Sequence, residues 1–339
     1  MPLDATNYPA VPYKHPEFLG PSGVTLAFIQ EAPSEYELKA GRHMKGSAGT
    51  LFHGMLRSAN IDHRTCFFAH VYPGDPTEPR DPDAPARLWA ALSALKPVIV
   101  VPLGQCALRA IGSDANITAT RGSAFYLDKD GMRLTVMPTW HPETIQKVWK
   151  QYIVAVGDLT RAASLRTDEI TYPKRRLLVS PTLAEVRDFC ALPRLRAAGP
   201  LLSCDIETGW GQIRGLSFAP NETEAIYIPF ISLAKVSRSY WATVAEELEV
   251  WRIVKAVLES DIPKLGQNFA GYDVPWLLDK MGIRAMNVRH DLRLLHAALY
   301  PELPKSLQFM GLSYSQQGAW KHWAKGHSSV AEQVEKRDA

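Results

Sequence analysis

Two carboxylates, Asp205 and Glu207, close an apolar run in the stretch LLSCDIETGW, residues 201–210. Side chains two apart on a β-strand leave the same face, roughly 7 Å from each other along the chain. Like charges held that way repel unless a cation sits between them, so the pair predicts a divalent metal. Downstream, GQNFAGYDVPWLLDKMG (266–282) sets Asp273 where a helix should begin, with Pro275 in its first turn and Gly282 just past its end. A carboxylate there is steadied by free helix amides and can be aimed across a sheet at the strand-borne pair. Three such acids can hold a divalent ion with positions left open for phosphate oxygens. Two ions about 4 Å apart activate a water and stabilise the leaving oxygen in phosphodiester cleavage. The expected cofactor is therefore Mg2+ or Mn2+, as two ions.

A second group of loops lies in the first half. FIQEAPSEYELKAGRHMKGSAGTLFHGML (28–56) places Glu31, then Gly41, Gly46, Ser47, Ala48 and Gly49, between a strand and a helix. Glycines let backbone approach a ligand, and a helix starting near Ser47 offers amides to an anion. LGQCA, TRGSA (120–124) and TWHPE (139–143) follow in the same half. Loops at strand carboxyl ends converge on one crevice in parallel sheets, which puts His141 at its mouth.

The elements that must position these residues alternate in type. Strands are predicted at 24–29, 65–72, 97–103 and 133–139, with helices at 47–61, 84–95, 105–111 and about 145–165. Asp83 is placed to cap the second of these helices, with Pro85 in its first turn. Such alternation predicts a parallel sheet with helices on both faces. The charged segment around Pro173 breaks the periodicity and is read as a linker, 167–177, between domains at 1–166 and 178–339. The second half predicts a helix near 182–190, the strand ending in CDIET, and a hairpin of IRGLSFA and EAIYIPF around PNET. A long helix (about 240–259), the short strand KLGQN and helices starting near 273, 290 and 304 complete a mixed α/β sheet.

Bulk properties agree with two domains. The chain has 339 residues, 46% hydrophobic and 22% charged, as a soluble globular protein does. A net charge of +3 makes no case by itself for nucleic acid. Cys66, Cys106, Cys190 and Cys204 are scattered with no C-x-x-C pair, which suits a reducing cytoplasm and argues against a zinc ribbon or cluster. The N-terminal stretch has no apolar h-region, and PVIVVPL is far too short to span a membrane, so neither secretion nor a membrane partner is expected.

D-x-E followed by N-x-x-x-Y-D (Asn268, Tyr272, Asp273) and then HDLRLLHAALYPELPKSLQFMGLSY resembles the 3′–5′ exonuclease domain of family A DNA polymerases, over about residues 178–339. The resemblance implies an RNase H-like fold and four acidic metal ligands in three motifs. Asp205 and Glu207 match the first motif and Asp273 the second. The third, Tyr-x-x-x-Asp, has its spacing in Val334 and Asp338 but lacks the tyrosine; Asp291 is a weaker stand-in. Asn268, Tyr272 and Lys305 are implied as DNA contacts, and Lys174, Arg175 and Arg176 can also meet phosphates.

The ordered loops of the first half resemble the uracil-DNA glycosylase superfamily, nearest the phage-type branch related to family 4, over about residues 22–166. That implies a parallel-sheet α/β/α sandwich that flips uracil out of DNA and cleaves its glycosidic bond. By motif, Glu31 positions the water and His141 donates to the uracil oxygen that gains charge. Gly46, Ser47 and Gly49 track phosphates. The family's glycine before the glutamate is Gln30, its base-stacking aromatic is Met44, and its uracil-reading asparagine is His70. The cluster cysteines of family 4 are absent, so no iron–sulfur cluster is expected. The order of the two halves matches phage-type polymerases with a glycosylase-like front end, so the expected partners are DNA and a DNA polymerase. The alternative is a non-catalytic DNA- or uracil-binding module, or a structural arm of a replisome.

Overall fold

The computed structural model describes residues 24–73, 75–129, 131–165 and 169–315. They divide into two compact units, residues 24–171 with 308–315, and residues 172–307.

The first unit opens with β1 (Leu26–Gln30), five consecutive buried residues, as a strand covered on both faces must be. Helix α1 (Glu35–Ala40) starts on a reciprocal capping box of Ser34 and Glu37, and α2 (Gly46–Ser58) follows. Then come β2 (Phe67–His70), α3 (Ala84–Leu95), β3 (Ile99–Pro102), α4 (Gly104–Ala110) and α5 (Ile117–Thr120). Strands β4 (Phe125–Lys129) and β5 (Met132–Val136) and helices α6 (Pro142–Lys147) and α7 (Tyr152–Ser164) complete this stretch. The sheet order is β2-β1-β3-β5-β4, parallel except for the edge pair β4–β5. Phe28 anchors the core, its ring 5.2 Å from Phe52 and 5.4 Å from Phe68.

Three local expectations needed correction. Strand β4 was missed because FYLDK is a half-exposed edge with no buried run. The helix expected over 145–165 is two, separated at residues 149–151 by a tight turn, because His141 and Pro142 start a separate short helix. Asp83 precedes α3 but makes no side-chain cap; its backbone is already helical and its amide donates to Asp81.

The second unit contains β6 (Arg176–Leu178), α8 (Leu183–Phe189), α9 (Leu192–Ala198), β7 (Leu202–Gly209), β8 (Gln212–Ala219) and β9 (Glu224–Pro229). After these come α10 (Val244–Leu258), β10 (Lys264–Gly266), α11 (Val274–Met281), β11 (Val288–Asp291) and α12 (Leu292–Leu299). The sheet order is β11-β10-β7-β8-β9-β6. β7, β8 and β9 form an antiparallel meander, while β10 and β11 run parallel to β7 on its other side. The hairpin expected around PNET is the β8–β9 pair. Arg176 and Leu177, at the end of the stretch read as linker, belong instead to β6, the strand beside β9. The buried faces of the sheet, with Val250, Val254 and Leu258 of α10, form one apolar core.

Helix α13 (Leu307–Tyr314) shows where the domain boundary expected from sequence differs from the packing. Arg121, 1% exposed, is stacked between the rings of Trp140 and Phe309 and donates to Ser313 Oγ at 2.7 Å. Its Nη1 also donates to Asp158 Oδ1 at 2.6 Å, and Asp158 Oδ2 accepts from Thr139 at 2.9 Å. Gly122 (φ 67) explains the R-G pair: a Cβ there would overlap the Asp158 carboxylate and the Arg161 guanidinium. A buried charge left without its partner costs about 3–5 kcal/mol. Asp158→Ala is therefore expected to lower unfolding free energy by that amount in guanidinium titration; a loss below 1 kcal/mol would show the pair to be dispensable.

Candidate functional site

Strand β7 alternates as the sequence requires: Cys204 and Ile206 are buried, Asp205 and Glu207 exposed on the opposite face. β10 pairs with β7 only at Leu202 and Ser203, then leaves the sheet through the single π turn Phe269–Asp273. Gly266 permits that departure, since a Cβ there would sit 2.6 Å from Phe269 Cβ and 2.8 Å from the Cys204 carbonyl oxygen. The edge of β7 left open is filled by Asp273, whose Oδ1 accepts the Ile206 amide at 2.8 Å. The second-motif carboxylate is thus fastened to the backbone between the two first-motif acids. Its carboxyl is raised to about 7: burial pushes it up most, the Ile206 bond pulls it down, and the charges of Asp205 and Asp291 add to the rise.

Asp291 is a brace. Its Oδ1 accepts from the amides of Asn268, Arg293 and Leu294 and its Oδ2 from Ala270, so it caps α12 and holds the turn before Asp273. Asn268 (φ 61) accepts from Arg293 Nη1 at 2.7 Å, and the Tyr272 hydroxyl lies 2.6 Å from Thr208 Oγ1. The Lys305 ammonium donates to the carbonyls of Tyr300, Pro301 and Leu303, its own loop. Lys174 is exposed, Arg175 donates to the Glu222 carbonyl, and Arg176 pairs with Glu224 at 4.0 Å. Asp338 lies outside the described residues.

The acids suit a hard divalent cation by donor type: three carboxylates, one of them raised by burial and, to a smaller extent, by the charges of its acidic neighbours, which a cation relieves. Their oxygens do not gather within 4.8 Å of one another in the described residues, so Asp205 and Glu207 must turn inward to share an ion. Because the folded Asp273 value lies above the ordinary 3.8, the fold loses stability as pH rises from about 4 through 7. Asp273→Asn keeps an oxygen for the Ile206 amide and removes that loss. The variant is expected to gain on the order of 3 kcal/mol over wild type at pH 8 and nothing at pH 3. Equal unfolding curves at both pH values would contradict this.

The first unit has a cavity of about 450 Å³ whose lining includes Gln30, Glu31, Glu37, Met44, Gly49 and His141. Glu31 pairs with Arg80 Nη2 at 2.6 Å. Gly104 (φ 87) lets β3 turn into α4 beside His141, where a Cβ would approach His141 Cβ to 3.0 Å. Burial lowers the His141 ring below its ordinary value, which keeps it neutral at pH 7. Its Nδ1 accepts the Glu143 amide at 3.3 Å as the cap of α6, so the ring proton is on Nε2. Nε2 lies 3.2 Å from the Gln30 amide, which answers a donor by turning its oxygen to the ring. The amide's other atom is enclosed without a partner. In that orientation it is an enclosed NH2 group at the cavity wall.

Met44 (φ 54) is buried, and its amide donates to Glu37 Oε1 at 2.6 Å. Gly46 (φ 80) sits against the Tyr36 ring, where a Cβ would come to 2.9 Å, and Ser47 is exposed in the first turn of α2. The start of α2 has no side-chain cap, which leaves its amides to an anion. Gly49 serves packing, because a Cβ there would overlap the Met44 carbonyl. His70 is fully enclosed and is not part of the cavity wall. Glu37 faces the cavity instead, with its Oε1 3.7 Å from His70 Nε2. Glu37 was not singled out in the sequence, although the spacing Ser34-x-x-Glu37 marks a capping box. Burial pushes its carboxyl up, but His70 and the Ser34 donors outweigh that and hold it at about 2. Gly49→Ala is expected to cost about 1–3 kcal/mol of stability by chemical denaturation; an unchanged midpoint would mean that α2 and Met44 are not in contact.

Residues 16–161 match the family model of the uracil DNA glycosylase superfamily. Among relatives, a type-4 uracil-DNA glycosylase of Thermotoga maritima is 31% identical over 34% of this chain and 64% of its own length. A DNA polymerase of Bacillus phage SP01 is 25% identical over 56% of this chain but only 21% of its own length. The chain thus spans about a fifth of that polymerase and under two thirds of that glycosylase. A crystal structure of the EXD2 exonuclease domain soaked in Mn and GMP aligns with 48% of this chain and 83% of its own, at 18% identity and a TM-score of 0.27. Among the described residues, no helix is long and apolar enough to cross a membrane.

Proposed function

We propose that this chain processes DNA, in the cytoplasm of a bacterial or phage-infected cell, through two chemistries. The second unit is a metal-dependent 3′–5′ exonuclease domain, and the first a uracil-DNA glycosylase-like domain. The observation that carries the nuclease reading is the seating of Asp273 on the Ile206 amide, between Asp205 and Glu207. A pair of Mg2+ or Mn2+ ions held by these acids would supply an activated water and stabilise the leaving 3′ oxygen. The exposed face of β7 leaves Asp205 and Glu207 open to a phosphodiester, and Tyr272 and Asn268 border it. DNA is the partner, and a polymerase supplied with this chain or by another would extend the ends it trims.

In the first unit a flipped base would enter the cavity beneath Met44, with its sugar towards Glu31 and its phosphates at the start of α2. The His141 Nε2–H would donate to the base oxygen that gains charge as the glycosidic bond breaks. The base-reading role that the resemblance implies for His70 passes to Gln30 and Glu37, which line the cavity. One observation favours a second reading, in which this unit binds uracil without excising it. Gln30 already engages the His141 proton, so a base oxygen must displace an amide to reach it.

Oligonucleotides with and without uracil, incubated with Mg2+ or EDTA, separate these readings. Mg2+-dependent shortening from the 3′ end, reduced at least 100-fold in Asp205→Ala, is the expected result; shortening by that variant at the wild-type rate would sink the nuclease proposal. EDTA-resistant, alkali-labile breaks at uracil identify excision, and retention of uracil DNA without breaks identifies binding alone.

A further inference from the structure

We propose that Glu37, His43 and His70 form a site for a transition-metal ion of the zinc class, beneath the cavity of the first unit. Among the described residues these three alone bring metal-ligating atoms within 4.8 Å of one another. The acids of β7 do not. All three are enclosed: Glu37 is 2% exposed, His43 7% and His70 0%.

Three separate segments deliver them. Glu37 comes from α1, fixed by Ser34 on Oε2 and by the Met44 amide on Oε1. His43 comes from the turn between α1 and α2. His70 ends β2, in register with Gln30 of β1. The His43 and His70 rings lie 4.4 Å apart, inclined by 19°, and His70 Nε2 is 3.7 Å from Glu37 Oε1. In a tetrahedral site with bonds of about 2.0–2.1 Å, ligand atoms stand about 3.4 Å apart. The cluster therefore needs to contract, and because an imidazole lone pair lies in its ring plane, the two stacked rings must also turn from near-parallel to converge on one ion.

Two imidazoles and one carboxylate are the donors that zinc-class ions select, whereas Mg2+ and Ca2+ call for oxygen alone. Glu37 is the member that faces the cavity, so an ion reaches the group from that side, where a water or ligand atom completes its coordination. The consequence is structural. An ion would fasten α1, the turn before α2 and the end of β2 together as the floor of the cavity, and would hold His70 away from any bound base. This goes beyond the glycosylase-like reading and stands whether or not uracil is excised.

The test uses the full chain, stripped with a chelator and titrated with ZnCl2 against a chromophoric competitor. Wild type and Asp205→Ala should each take up one tight equivalent, with a matching rise in Tm. His43→Phe keeps a ring stacked on His70 but removes a donor, and Glu37→Gln keeps the capping geometry; each should weaken that equivalent at least tenfold. No tight equivalent in Asp205→Ala, or one that Asp205→Ala retains when His43→Phe is added, would overturn the site and leave a hydrogen-bonded buried cluster. Should both variants fail to fold, the Co2+ spectrum of Asp205→Ala, in which the carboxylate site of the second unit is broken, decides. Intense four-coordinate bands without a sulfur charge-transfer band support the site, and the weak bands of a six-coordinate ion refute it.

Discussion

The second unit turns on one hydrogen bond, from the Ile206 amide to the Asp273 carboxylate. A central strand normally spends its amides on its neighbours. Here β10 withdraws after pairing at Leu202 and Ser203, and the amide it leaves behind is claimed by a side chain from the turn that follows. Gly266 permits the withdrawal, and Asp291 holds the turn by taking amides from Asn268 and Ala270. Backbone geometry thus delivers a buried acid to a face where two others already stand. The cost appears as a carboxyl raised to about 7, chiefly by burial and further by the neighbouring charges of Asp205 and Asp291.

The first unit solves a different problem, that of holding polar loops at the end of a parallel sheet. Small residues decide it. Gly104 brings α4 against His141, Gly49 brings α2 against the Met44 backbone, and Gly122 clears space for Asp158 beside Arg121 and Arg161. The cavity these contacts leave is lined by groups whose protonation the structure fixes. His141 is neutral with its proton on Nε2, and Glu37 is ionised. An amide and a neutral imidazole facing each other form a donor–acceptor pair suited to the edge of a base, with one further donor in reserve on Gln30.

What the sequence disclosed was set by local physics. The period-two alternation of CDIET gave the face of Asp205 and Glu207, and Pro275 and Gly282 bracketed α11 as expected. Long buried strands and amphipathic helices were legible for the same reason. Strand β4 was not, because an edge strand buries too little to imprint a pattern. The placement of α13 depends on Arg121, nearly two hundred residues away in sequence, a contact that no local signal carries. Glu37 went unnoticed because its capping role reads as local structure, while its place in the cavity arises only when β2 brings His70 behind it. His70 occupies the position expected to read a base, yet it is enclosed. Motif order named the residue but carries no signal of the direction in which its side chain faces.

The central claim is that Asp205, Glu207 and Asp273 hold divalent cations in common, and Mn2+ binding measured by electron paramagnetic resonance tests it most directly. The account predicts that wild type sequesters Mn2+ at pH 8, that Glu207→Gln and Asp273→Asn each weaken this at least tenfold, and that lowering the pH through about 7 weakens it in wild type as Asp273 takes up its proton. Mn2+ affinity unchanged in both variants would contradict the account.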